Sequence, residues 1–157
     1  MVTLTSSDSL LERIRNRQAV VCVIGLGYVG LPLATVFEEA GLGTIGIDVN
    51  EVKVNSINNG VSYIREIPDQ RLSRLTGGES PTLRATCEFD VLSDADAVII
   101  CVPTPLSKTK DPDVSHIISA TAQIAERLHR DMLIVLESTT YREPQRNFFC
   151  RPSRMHS

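Results

Sequence analysis

The run Ala19-Val20-Val21-Cys22-Val23-Ile24-Gly25 constrains this 157-residue chain more than any other stretch. Six apolar residues follow one another with no polar alternation, so a strand here must be covered on both faces. A parallel sheet layered between helices meets that condition. The run breaks at Gly25-Leu26-Gly27-Tyr28-Val29-Gly30 and passes directly into LPLATVFEEAG, a helical pattern that stops at Gly41. Pro32 falls in the first turns, where a missing backbone N–H costs little.

The alternation continues along the chain. TIGID (44–48) reads as a second strand, followed by a polar helix from about Asn50 to Asn58. Residues 59–81 read as irregular, with one helical turn near Gln70–Leu75. TLRATC (82–87) is a third, amphipathic strand, Glu88–Ser93 a short turn or helix, and AVIICV (97–102) a fourth, fully apolar strand. The loop 103–112 holds three prolines and excludes regular structure. From Asp113 the pattern is helical, with Val114, Ile117, Ile118, Thr121, Ile124, Ala125 and Leu128 on one stripe. MLIVLE (132–137) is a fifth strand. Ahead of all this, residues 9–17 predict a lead-in helix capped by Ser7, Asp8 or Ser9 and docked through Leu10, Leu11 and Ile14. The fold expected is α/β, a Rossmann-like doubly wound parallel sheet of about five strands, incomplete because a sixth strand and any following domains are missing. The domain division expected is a lead-in helix over 1–18, a partial dinucleotide-binding domain over 19–141 and an aberrant tail over 142–157.

The glycine motif alone is weak. Its context strengthens it: a strand precedes it, a helix follows, and Asp48 ends the next strand 18 residues after Gly30, near the roughly 20 expected of a dinucleotide fingerprint. Gly25 allows the tight turn, Gly27 lets a pyrophosphate approach the backbone, and Gly30 lets helix and strand pack closely. The helix N-terminus offers N–H groups and partial positive charge to phosphates. Asp48 would accept from the adenosine ribose hydroxyls and repel a 2′-phosphate, which selects NAD over NADP. The competing reading is a glycine turn that binds nothing, with Asp48 capping the next helix.

Four blocks, VCVIGLGYVGLPLA, GIDVNEVKVNSINNG, CVPTPLSKTKDPDVS and VLESTTY, spread over residues 20–141, together resemble the N-terminal domain of the UDP-glucose/GDP-mannose dehydrogenase family. SYIREIP (62–68), the PTP loop and ESTTY resemble most the UDP-N-acetylglucosamine 6-dehydrogenases within it. The resemblance implies NAD-dependent oxidation of a UDP-sugar's C6 alcohol to the carboxylate, supplying precursors of surface polysaccharide. It also implies that Tyr28 and Val29 present backbone groups to the pyrophosphate, that Asp48 and Lys53 hold the adenosine ribose, and that Thr104 and Thr139 line the nicotinamide side of the cleft. Read from the residues alone, Lys53 is as readily a solvated charge on a polar helix, and Thr104 a turn residue.

No catalytic residue is expected in this chain. The family's nucleophilic cysteine, lysine and asparagine fall in a substrate domain beyond residue 157, and Cys150 lies in a segment with no family motif or adjacent base. After Tyr141 the family continues PGTTEE, whereas this chain reads REPQRNFFCRPSRMHS. One allowed codon choice for that tail, preceded by a single C and read in the other frame, encodes PGTTEEFLLPALEDAL. A one-base deletion or a misread base is therefore expected. The chain should be a marginally stable fragment with an apolar edge strand, at most weak NAD affinity, and without the helix through which the homo-oligomeric family dimerises. Another dehydrogenase of hydroxyacyl or phosphogluconate type, a stand-alone NAD-binding module and an inert remnant are the competing readings.

Charge and composition exclude other classes. The net charge of −3, 4% aromatic content and absence of Trp argue against a nucleic-acid partner or a base-stacking surface. No apolar run approaches the roughly 20 residues of a membrane span, and MVTLTSSDS lacks the basic and apolar regions of a secretory signal. A cytoplasmic protein without a membrane partner is expected. Cys22, Cys87, Cys101 and Cys150 show no metal-ligand spacing and read as reduced core thiols. His116 and His129 read as surface residues near the ends of one helix.

Overall fold

A computed structural model of the chain describes residues 6–77, 81–105 and 113–137. The elements are α1 (Ser6–Arg15), β1 (Val20–Ile24), α2 (Gly30–Glu39), β2 (Gly43–Ile47), α3 (Glu51–Asn58), α4 (Asp69–Thr76), β3 (Leu83–Thr86), a 3₁₀ turn (Phe89–Asp94), β4 (Ala97–Ile100), α5 (Ser115–Glu126) and β5 (Leu133–Leu136). All strand pairs are parallel and the order is β3-β2-β1-β4-β5, the doubly wound order expected, with five strands among the described residues.

The apolar runs are explained by two-sided burial. On one face Val21, Val23, Ala97 and Ile99 pack under α2, α3 and α4, with Leu31, Ala34, Val54, Ile57 and Leu72. On the other, Cys22, Ile24, Ile45, Ile47, Val98 and Ile100 pack under the 3₁₀ turn and α5, with Leu92, Ala120 and Ile124. Both chains of side chains come from the same strands, so no polar position was available in β1 or β4. Each fully buried aliphatic contributes about 1.5–3 kcal/mol.

The two sheet edges differ. The outer edge of β3 is covered by Asn58, whose side-chain amide donates to the Ala85 carbonyl (2.9 Å) and accepts from its N–H (2.8 Å). One side chain thus imitates a neighbouring strand. On the β5 side, Leu133 and Glu137 donate inward to Asp96 and Ile100 (2.9 Å each), so the backbone of Ile134 and Leu136 faces outward.

Four local expectations are corrected. The first helix is described from Ser6 onward, so Ser7, Asp8 and Ser9 lie within its range. Its apolar stripe docks only in part: Leu10 is half-buried while Leu11 and Ile14 remain exposed, and the anchor is Arg13, which pairs at 2.6 Å with a buried Asp96 that also accepts from Val20 N–H (2.8 Å). The irregular segment contains α4, a full two-turn helix. It escapes a periodicity reading because Leu72 is its one buried residue, and its outer side is tied by the Arg71–Glu39 bidentate pair (2.8 and 2.7 Å) to α2. The stripe on α5 is narrower than its apolar residues suggest: Ile117, Ala120 and Ile124 are buried, while Ile118 and Leu128 are exposed.

Candidate functional site

The site is built where β1, β2 and β4 end. β1 delivers the chain into Gly25, whose φ of +93° is open to glycine and strained for other residues. A Cβ there would also lie 2.7 Å from the Cys101 carbonyl oxygen. Gly30 opens α2 against the same turn, so closely that a Cβ would lie 1.8 Å from the Gly25 carbonyl oxygen. Gly27 differs from both. A Cβ there would meet nothing within 4 Å, because the position faces an open crevice. Beyond Leu26, the first N–H in this turn to meet a carbonyl is that of Leu31, bonded to Gly27 at 3.1 Å. The donors between them form the helix N-terminus that faces the crevice.

Asp48, 7% exposed at the end of β2, organises the floor. Its Oδ2 accepts from Leu26 N–H (2.9 Å) and from the Lys53 ammonium (3.2 Å), and its Oδ1 accepts from Asn50 N–H (2.9 Å). Asn50 in turn caps α3, accepting from the N–H groups of Val52 and Lys53. That cap turns the first coil of α3 so that Lys53 points inward. Its side chain is about one-third exposed, and it pairs with Asp48 rather than standing free in solvent. The Lys53 ammonium also lies 5.9 Å from the centre of the Tyr63 ring, and the Tyr63 hydroxyl donates to the Leu26 carbonyl (2.5 Å). Burial, reinforced by the Asp48 charge, pushes the Tyr63 phenol well above its ordinary range.

Two joined depressions of about 280 and 350 Å³ make up the crevice, sharing Gly25, Asp48, Lys53, Val102 and Pro103. The first is walled by Val49, Phe89, Val102, His116 and Ser119, an apolar slot with polar groups along one rim. The second runs past Gly27, Tyr28 and Val29 to Thr104 and Glu137. Of the residues expected from sequence, Gly25, Gly27, Tyr28, Val29, Asp48, Lys53 and Thr104 therefore line this crevice. Gly30 supports it from beneath. Thr139 lies outside the described residues. Tyr63, Phe89, His116 and Glu137 were not anticipated. His116 sits in the first turn of α5 on the crevice side, and the lone Phe89 after β3 was the one available signal.

A larger groove of about 820 Å³ lies on the α2 face beside β5, lined by Ile14, Val36, Leu133 and Val135 among others. Its lining is almost wholly apolar, so no set of polar groups converges on a charged ligand there. The described thiols are held in their neutral form, Cys101 among them although it lines the second depression. Burial pushes Cys22 up to about 12 and Cys101 to about 11, the latter helped by Glu137. Among the described residues no group of acidic, cysteine and histidine side chains is placed to hold a metal ion, and no helix is long and apolar enough to cross a membrane.

Comparison with known proteins adds a second line. The sequence profile described as the UDP-glucose/GDP-mannose dehydrogenase family, NAD binding domain, matches residues 19–152. This chain belongs to that family. The match extends past Tyr141 into the tail. The chain is 43% identical over 120 residues to the NDP-N-acetyl-D-galactosaminuronic acid dehydrogenase of Ralstonia nicotianae, covering 76% of this chain and 27% of that protein. It is 36% identical over 121 residues to the UDP-N-acetyl-D-glucosamine 6-dehydrogenase of Salmonella typhi, covering 77% and 27%. Among solved structures, the ternary complex of GDP-mannose dehydrogenase from Pseudomonas aeruginosa superposes with a TM-score of 0.75 at 29% identity, over 82% of this chain and 30% of that one. The chain thus spans under one-third of the length of the relatives it matches. Family membership decides against the hydroxyacyl and phosphogluconate readings, and its cofactor is NAD.

The crevice fits that cofactor. Gly27 leaves open the volume a Cβ would fill, the α2 N-terminus faces it, and the Asp48 carboxylate lines both depressions.

Proposed function

We propose that this chain is the NAD-binding portion of a nucleotide-sugar 6-dehydrogenase, acting on a UDP-sugar and, by its SYIREIP, PTP and ESTTY segments, on UDP-N-acetylglucosamine. The observation that carries the coenzyme assignment is Asp48, held between Leu26 N–H and the Lys53 ammonium at the mouth of the glycine turn. NAD, when bound, supplies the hydride acceptor. The residues of this chain bind and orient it. The N–H groups of Tyr28 and Val29 meet the pyrophosphate at the positive end of α2. Asp48 accepts from the adenosine ribose hydroxyls, with Lys53 donating beside it. Val49, Phe89 and Val102 wall the slot for the adenine, and Thr104 serves the nicotinamide half, a role the family resemblance also implies for Thr139. The relatives' names carry different sugars.

Calorimetric titration tests the reading. NAD and ADP-ribose should bind, and NADP should bind at least about tenfold more weakly because its 2′-phosphate meets the Asp48 carboxylate. Equal affinity for NAD and NADP would remove Asp48 from the ribose. A protein of the relatives' full length that carries this domain tests the enzymatic half, and it should form NADH with UDP-N-acetylglucosamine.

A further inference from the structure

Leu26 is gripped through both of the peptide units that flank it. Its N–H donates to Asp48 Oδ2 at 2.9 Å, and its carbonyl accepts from the Tyr63 hydroxyl at 2.5 Å. Its side chain is fully buried, seated so tightly over β2 that a Cβ on Gly46 would lie 2.7 Å from it. Tyr63 comes from 61–68, a segment outside the fingerprint and separated from the turn by 37 residues. Its ring also faces the Lys53 ammonium at 5.9 Å, and Lys53 returns to Asp48 at 3.2 Å. The four groups close a loop: turn, carboxylate, ammonium, ring, turn.

We infer that Tyr63 is a positioning residue for coenzyme binding, latching the Leu26 carbonyl so that the N–H groups of Gly27, Tyr28 and Val29 stay aimed at the pyrophosphate, while its ring holds Lys53 beside the ribose carboxylate. The physical reason lies in the turn itself. Three glycines in six residues leave the loop with excess conformational freedom, and with only the Leu26 N–H held, the next peptide unit, which joins the Leu26 carbonyl rigidly to the Gly27 N–H, can still rotate its oxygen toward the phosphates. A carbonyl oxygen facing a pyrophosphate would repel it. The phenol removes that conformer by giving the oxygen a partner on the opposite side. The latch rests on the coenzyme-site reading above, and its failure is separable from that of the reading.

The test compares ligands that do and do not carry a pyrophosphate. ADP-ribose and adenosine are titrated against the wild-type chain, Tyr63→Phe and Tyr63→Leu, with calorimetry for the first ligand and NMR shifts for the second. Tyr63→Phe removes one oxygen and keeps the ring. It should weaken ADP-ribose about three- to tenfold, the loss of one hydrogen bond's worth of ordering, while adenosine changes less than twofold. Its preference for NAD over NADP should stay as in wild type, whereas Tyr63→Leu, which frees Lys53, should narrow it. Wild-type chain that fails to bind ADP-ribose sinks the coenzyme site itself. Wild-type binding matched by Tyr63→Phe sinks the latch alone, and so does an equal loss for both ligands, which is plain loosening of the fold. Should the variants not fold, the unaltered chain still decides: a latched Tyr63 hydroxyl proton gives its own slowly exchanging NMR line, and an exchange-averaged one overturns the inference.

Discussion

Gly27→Ala separates coenzyme binding from folding more cleanly than any other single substitution. Gly27 does not occupy the left-handed region, unlike Gly25, so alanine enters without backbone strain. Its Cβ would meet no heavy atom within 4 Å. Stability should therefore move by no more than about 1 kcal/mol, and upward if the unfolded chain loses entropy. The same methyl projects into the space the pyrophosphate needs. Displacing it from one charged-acceptor hydrogen bond, about 1.5–3 kcal/mol, weakens NAD by about ten- to a hundredfold. Gly30→Ala is the control: its Cβ would fall 1.8 Å from a backbone oxygen, and helix and strand must separate. That variant should lose about 3 kcal/mol or more, well past ordinary overpacking. Thermal melts paired with NAD calorimetry read both quantities. A Gly27→Ala chain that melts like wild type and binds NAD equally well would refute the placement of the pyrophosphate.

Further expectations follow from the same geometry. Asp48→Asn cannot accept from Leu26, Asn50 and Lys53 together, so NAD should weaken about tenfold and the NAD-to-NADP ratio shrink, read from paired dissociation constants. Asn58→Ala exposes both backbone groups of Ala85 at the β3 edge and should cost about 1–3 kcal/mol in urea unfolding; no change in midpoint would deny the amide its edge-covering role. Cys22, fully buried with its folded value raised from 9.0 to about 12, binds its proton more tightly folded than unfolded. Its contribution is complete below pH 9 and declines between pH 9 and 12, by about 1.4 kcal/mol per pH unit. A Cys22→Ala chain should therefore show a shallower loss of stability over that alkaline range. In the 157-residue chain, Leu133→Lys places a charge on the outer strand, where it lines the apolar groove, and should reduce concentration-dependent light scattering; unchanged scattering would locate association elsewhere.

The alternation of apolar runs with helical patterns made the parallel sheet and its order legible. Two-sided burial leaves a mark on every residue of β1 and β4, and the fingerprint spacing from Gly25 through Asp48 is local to two strand ends. Segments with thin marks were less legible. In α4 a single buried leucine carries the packing, so periodicity had nothing to count. In α1 the apolar residues pointed toward a docking that is only partial and that Arg13 and Asp96 anchor. The seven-residue stripe expected from Val114 to Leu128 overstated the buried face, since only Ile117 and Ile124 of it are buried and the third buried position, Ala120, lay outside it.

By itself, then, the order of residues determined the layered parallel sheet, the glycine turn and the acidic residue facing it, because these depend on periods and spacings within a few dozen residues. Tertiary structure alone decided which side chains complete the crevice. Lys53 turns inward because Asn50 caps α3. Tyr63, Phe89, His116 and Glu137 reach the site from four separate segments. The meeting of groups far apart in the chain is set by packing, and packing distances leave no periodic trace along the sequence.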